Sequence, residues 1–402
     1  MKWKLRALAV VLVGVLLAMA GCQTIGDVQW SKQKGPQTLS TPMQSQLMVV
    51  EIKEDGAFHD PDQFDNLKQW IDQASPIDPV VLFVHGWHHN AQPDDANLKD
   101  FTAFVAKIEA ATCQEQRSIE CPSIDGIYVG WRGDSVDYPV GRDVLDFWTI
   151  WGRKSVSRQV GQGGLAKIIT HIRRHHPDRN VVVAGHSLGA SALFYAVKDD
   201  LGQLAEDNFE YIMMNPAVGS SEFESVAEQL NQTVRAELAG AAPSAMNVDA
   251  MTLLSRSHRK LLVMQALGDI PVGWLYRLAF ITDIPVGFDD KRSTHLAYAC
   301  PQDRGECEQR SGRPSNSDFA KAEVEAGMAR DYCSIYLAKR EFVIETKRAG
   351  PEDDTCWENF SKAVWVISGA DSVSRSHGDI FNGVQERALA DLISQRFAAD
   401  RP

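Results

Sequence analysis

The residues best placed to do chemistry are Gly185-His186-Ser187-Leu188-Gly189. The β-branched run Val181-Val182-Val183 leads into them and a helix-forming segment from Ala190 leads away, so a G-x-S-x-G pattern sits at a strand, sharp turn and helix. Such a turn holds its serine in a strained backbone conformation at the end of the strand. The helix N-terminus behind it favours developing negative charge. Gly189, Ala190 and Ala192 supply the small residues that let the helix pack back on the strand. A serine hydroxyl is a poor nucleophile at neutral pH and needs a base to accept its proton during attack. Histidine suits, because its pKa lies near the operating range. An acidic partner then fixes the histidine tautomer and stabilises the imidazolium. Three further apolar runs end in residues able to serve such a nucleophile: His85-Gly86-Trp87 after Val80, Asp269 after Leu261, and His377 beyond Val364.

The elements that must position these residues alternate. A strand is expected from Leu47 to Ile52, and a helix opens at Pro61 with Phe64, Leu67, Trp70 and Ile71 on one face. Val80 to Val84 is continuously apolar, as suits a strand buried on both faces. A helix over residues 96–110, a strand over 127–131 and a helix over 164–176 lead to the serine-bearing strand. Beyond it come a strand at Tyr211 to Met214, a helix over 222–239, strands from Leu261 and Ala363, and a terminal amphipathic helix carrying Leu389, Ile393 and Phe397. Alternating strands and helices predict an α/β fold, a mostly parallel central sheet with helices on both faces. In such sheets, sites form beyond the carboxyl ends of the strands. The region of about 271–359 is too long for a connecting loop and reads as a disulfide-bearing insertion before the last strand. Tyr138, Phe147, Trp148, Ile150 and Trp151 read as core, with a cap over a binding pocket as the alternative. His171, His175 and His176 fall near the i, i+4 spacing of metal ligands, but a polar helix end before Pro177 accounts for them better, and no metal is expected.

The chain order Ser187, Asp269, His377, with His85-Gly86 upstream, resembles the α/β-hydrolase family. The resemblance runs from about residue 47 to 402, apart from the insertion. It implies His377 as the base, since the family carries that residue between the last strand and the final helix, with His295 as its rival. It implies Asp269 as the acid, with Asp371 as runner-up and Asp283 and Asp289 as weaker candidates. The backbone N–H groups of Trp87 and Leu188 are then the oxyanion donors. His85, His88 and His89 lie in the loop expected to shape that hole and are less suited as the base. His85-Gly86-Trp87 lacks the glycine string of the family's HGGG subgroup, which puts bulky alcohols in doubt. The implied reaction is hydrolysis of a carboxylic ester through an acyl-enzyme on Ser187, with no cofactor and no metal. Lipase, esterase and thioesterase remain open. A serine peptidase, or a non-catalytic envelope protein that binds a partner on a hydrolase scaffold, are the other readings.

Composition narrows the partners. The chain has 402 residues and a formal net charge of -12, with no lysine- or arginine-rich run, so no nucleic-acid partner is expected. Lys2, Lys4 and Arg6 precede an apolar run from Ala7 to Ala20, as in a secretory signal. Gly21-Cys22 after it resembles a bacterial lipobox, which implies residues 1–21 as a signal peptide and Cys22 as the lipidated, palmitate-bearing first residue. Gln23 resembles the sorting pattern for an outer membrane. Loss of the three basic residues gives a mature charge of -12 - 3 = -15. Residues 22–46 are read as a tether and 47–402 as the hydrolase domain. Seven cysteines less Cys22 leave an even number, which suggests disulfides in an exported chain, with Cys113–Cys121 and Cys300–Cys307 as near neighbours.

Overall fold

The computed structural model describes residues 23–24, 26–75, 78–116, 121–134, 136–137, 150–200, 202, 208–238, 260–266, 285–286, 295–298, 333–338, 341–346, 363–369, 377–378, 380–381, 389–390, 393–394 and 397. The first strands are β1 (Gln23–Thr24), β2 (Gln37–Thr38), β3 (Gln46–Ile52), β4 (Val80–Val84), β5 (Asp125–Trp131) and β6 (Val136–Asp137). They are followed by β7 (Val181–His186), β8 (Phe209–Met214), β9 (Leu261–Ala266), β10 (His295–Tyr298), β11 (Cys333–Ala338), β12 (Glu341–Thr346) and β13 (Val364–Gly369). The helices are α1 (Pro61–Gln73), α2 (Ala96–Gln116), α3 (Ile150–Val160), α4 (Ala166–His175), α5 (Leu188–Val197) and α6 (Ser220–Leu238). A π-helical turn, Gly161–Leu165, joins α3 to α4.

Local chemistry accounts for the helix ends. Asp60 caps α1 by accepting from the Asp62 N–H at 3.0 Å, and Pro61 occupies the first turn, where its missing N–H costs nothing. Arg173, Arg174 and His175 fill the last turn of α4, opposite the negative end of its dipole.

The main sheet is mixed and mostly parallel, in the order β12-β11-β10-β13-β9-β8-β7-β4-β5-β3-β2. β4 and β7 are neighbours in the interior of the sheet, and every residue of β4 is buried, so its continuous apolar run meets core on both faces. Val80, Leu82, Val84 and Val183 face a core shared with Leu67 and Ile71 of α1, Ile168 and Ile172 of α4, Leu193 of α5 and Phe223 of α6. Val81, Phe83, Val182 and Ala184 face the opposite core, with Phe101, Phe104 and Ile108 of α2 and with Phe381, Leu389 and Ile393. Period-two alternation along the strands thus fills two layers of helix-on-sheet packing. The register aligns Val84 with Gly185 and His186 with Met214, so the carboxyl ends of β4, β7 and β8 lie side by side.

Two regions make contacts that composition alone does not indicate. The region read as an insertion contributes strands to the same sheet: β10 pairs in parallel with β13 and with β11, and β11 pairs antiparallel with β12. The segment read as a tether is held against the domain over residues 26–45. Glu51 accepts from the Trp30 and Ser31 N–H groups at 2.9 and 2.6 Å, Gln33 donates to the Leu47 carbonyl at 2.7 Å, and Glu109 accepts from the Thr41 and Ser45 hydroxyls. Cys113 and Cys121 form a disulfide with Cα atoms 5.1 Å apart. No described helix is long and apolar enough to cross a membrane. Residues 1–21, expected as a signal peptide, together with Cys22, Cys300, Cys307 and the aromatic stretch from Tyr138 to Trp148, lie outside the described residues.

Candidate active site

Ser187 connects β7 to α5 at φ 54° and ψ -117°, a positive φ that a side chain with a Cβ rarely adopts. Such a conformation costs about 1–3 kcal/mol and persists only where the surroundings over-determine it. Here they do. The Ser187 N–H donates to the Met214 carbonyl at 2.9 Å, while its own carbonyl accepts from Ser191 at 3.1 Å and Ala217 at 3.2 Å. The motif's small residues follow from the close backbone approach. A Cβ on Gly189 would lie 2.2 Å from the Val84 carbonyl oxygen, and one on Gly86 would lie 2.9 Å from the Ser187 Cβ. The serine is 3 % exposed, so its hydroxyl is presented from a nearly closed position.

His377 is 190 residues from Ser187 in sequence, yet its Nε2 stands 2.6 Å from Ser187 Oγ. When Oγ donates, Nε2 accepts and the imidazole proton sits on Nδ1. The loop that carries His377 is held by its backbone. The His377 carbonyl accepts from His186 Nε2 at 2.6 Å and from Asn215 Nδ2 at 3.2 Å. Burial, reinforced by the neighbouring His377 ring 4.8 Å away, holds His186 well below the ordinary histidine pKa. His186 is therefore neutral, with its proton on the Nε2 that donates to His377. Its Nδ1 is buried without a partner among the described residues. Asn215 adopts a positive φ of 45° just past β8, and its N–H donates to the Met264 carbonyl at 2.8 Å.

The loop after β4 is ordered by buried polar contacts. The Trp131 N–H donates to His85 Nε2 at 3.0 Å, so the His85 proton sits on Nδ1, which donates to the Gly86 carbonyl at 2.8 Å. Burial lowers the His85 pKa to about 4 and keeps this donor pattern fixed at neutral pH. In a trans peptide the C=O and the next N–H point in opposite directions. Fixing the Gly86 carbonyl therefore also fixes the Trp87 N–H. Further along, His88 Nδ1 meets Asp134 at 2.5 Å, His89 meets Asp95, and Gly133 donates to the His89 carbonyl at 3.1 Å. Trp87 stacks on His88 with ring centroids 4.2 Å apart, and its indole N–H is buried without a partner among the described residues. Leu188 is the first residue of α5, where a helix leaves its N–H groups without intrahelical acceptors.

The structure thus brings His377 to Ser187 and lays the His85-Gly86-Trp87 loop against the same serine. Asp269, Asp371, Asp283 and Asp289 lie outside the described residues. His295 opens β10 opposite Val366, at the amino end of that strand, whereas His377 follows β13. His186 and Asn215 were not singled out from the sequence. His186 occupies the unspecified position of G-x-S-x-G, and only Asn215-Pro216 at a strand end offered a local signal. A serine hydroxyl hydrogen-bonded to an imidazole can pass its proton to that ring, which is what nucleophilic attack by a serine requires. Compared with known proteins, the chain matches no family model and no curated sequence.

Proposed function

We propose that this chain is a serine hydrolase of the α/β-hydrolase fold that cleaves carboxylic esters through an acyl-enzyme on Ser187. The observation that carries the reading is the 2.6 Å contact between His377 Nε2 and the hydroxyl of a serine held at positive φ. As Oγ attacks the carbonyl carbon, His377 takes its proton. The oxyanion of the tetrahedral intermediate accepts from the Trp87 and Leu188 N–H groups. His377 then returns the proton to the departing alcohol, and water repeats the sequence to release the acid. Asp269 is the proposed partner of His377 Nδ1. Each oxyanion donor contributes about 100- to 1,000-fold in turnover in sites of this kind.

The proposed setting is the bacterial cell envelope, with Cys22 lipidated and the chain anchored at the outer membrane. The substrate class is an ester or other acyl compound, with no nucleic-acid partner and with no metal or cofactor taking part in the ester cleavage. Pre-steady-state hydrolysis of p-nitrophenyl acetate and a long-chain p-nitrophenyl ester tests the reading. An acyl-enzyme that accumulates because it deacylates more slowly than it forms gives a p-nitrophenol burst stoichiometric with the protein, lost in Ser187→Ala along with turnover. Turnover that survives in Ser187→Ala would contradict it.

A further inference from the structure

A group of histidines that the serine chemistry does not use lies at the last turns of α1 and α4. His171 Nε2 stands 3.1 Å, and His176 Nε2 2.8 Å, from the same oxygen of Asp72. The three donor atoms lie within 4.8 Å of one another. We propose that Asp72, His171 and His176 form a surface binding site for a zinc-class divalent ion that ties α1 to α4.

The geometry is close to what such an ion requires. Tetrahedral zinc with bonds of about 2.0–2.1 Å separates its ligand atoms by about 3.3 Å. The contacts at 2.8 and 3.1 Å therefore need to open by only a few tenths of an ångström. The rings are already placed. His171 stacks on His175 with centroids 4.4 Å apart and meets the edge of Phe64, while His175 Nδ1 is engaged by the His171 carbonyl at 3.0 Å. His176 caps α4, its N–H donating to the Ile172 carbonyl. His175 supplies no atom to the cluster of three donors and acts as a support for the His171 ring. Three protein donors leave a fourth position for water. Asp72 and His171 themselves line a shallow cleft of about 650 Å³, through which solvent reaches the site. Two imidazoles with one carboxylate favour zinc, copper or nickel over magnesium or calcium, which prefer all-oxygen shells.

Zinc competition between a chromogenic chelator and the full chain, purified without a histidine tag, tests the site. The expected result is saturable uptake of a single zinc equivalent and a zinc-dependent rise in Tm. Uptake should weaken at least about tenfold in His171→Gln, His176→Gln and Asp72→Asn, and stay unchanged in His175→Gln. Tm values measured in chelator, equal to that of wild type, show that the variants are folded. Absence of saturable uptake by wild type, or wild-type uptake by the His171→Gln/His176→Gln double variant, would overturn the proposal. Neither result bears on Ser187.

Discussion

Histidine is used in two opposite ways in this molecule. Around Ser187, His85 and His186 are buried, and each ring donates to a backbone carbonyl: His85 to Gly86 and His186 to His377. Burial suppresses the charged form of both, so they act as fixed polar braces. At the ends of α1 and α4, His171 and His176 share a single oxygen of a largely exposed carboxylate. Their nitrogens can exchange that oxygen for another partner. His377 stands between the two cases, with a backbone carbonyl clamped by buried neighbours and a ring only half-buried. The difference teaches that the environment, not the residue type, decides which ring nitrogens are locked to backbone and which face an exchangeable side chain.

The sharpest way to break this contrast is to remove the reactive member. His377→Ala and Ser187→Ala should each lower ester turnover by about 10,000-fold or more, and the double variant should lose little further, because the pair acts as a unit. Steady-state assays of the three proteins check this. The buried braces come next. The His85 pKa is lowered to about 4 from 6.5, so the unfolded chain takes up a proton that the folded one refuses. Its stabilisation is present above pH 6.5 and is lost as pH falls towards 4, by about 3 kcal/mol. Glu51 acts in the opposite sense. Burial pushes its pKa up from 4.5 to about 7, so its contribution is present below 4.5 and lost as pH rises to 7. The two effects oppose each other in wild type. Urea unfolding between pH 4 and 7 should show Glu51→Gln losing stability on acidification more steeply than wild type, and equal slopes would sink the argument.

His186 tests positioning alone. His186→Leu removes a donor to the His377 carbonyl and should lower kcat by about 10- to 100-fold with little change in KM, since a misplaced base impairs the transition state and not binding. His186→Gln, which keeps an N–H donor, should recover part of the loss. The smallest effect belongs to the pair made on the exposed carboxylate of Asp72. His171→Gln in the presence of chelator should change stability by less than about 0.5 kcal/mol in denaturant melts, as exposed ion pairs do.

Legibility in the sequence followed the range of the interactions. The strands at Val80 and Val181 announce themselves as β-branched runs, and the glycines of G-x-S-x-G mark the turn, because both signals are local. The side-chain braces were not legible. The His186–His377 contact spans 191 residues, and Asp72 meets His171 across 99. Nothing near His186 distinguishes a buried donor from any residue between glycine and serine. The contacts of the N-terminal segment are long-range in the same way. Polar composition suggested a tether, but Gln33, Thr41 and Ser45 spend their polarity on Leu47 and Glu109 across the fold. Strands β10 to β12 escaped notice because their pairing with β13 and with one another is set by the sheet and not by a strong apolar run.

The central claim is that His377 activates Ser187. Labelling of the purified protein with a fluorophosphonate probe tests it most directly, with wild type, Ser187→Ala and His377→Ala side by side and circular dichroism to confirm that each is folded. The account predicts rapid labelling of wild type, none in Ser187→Ala, and labelling slowed by orders of magnitude in His377→Ala. Folded wild type that resists the probe, or His377→Ala labelled at the wild-type rate, would contradict it.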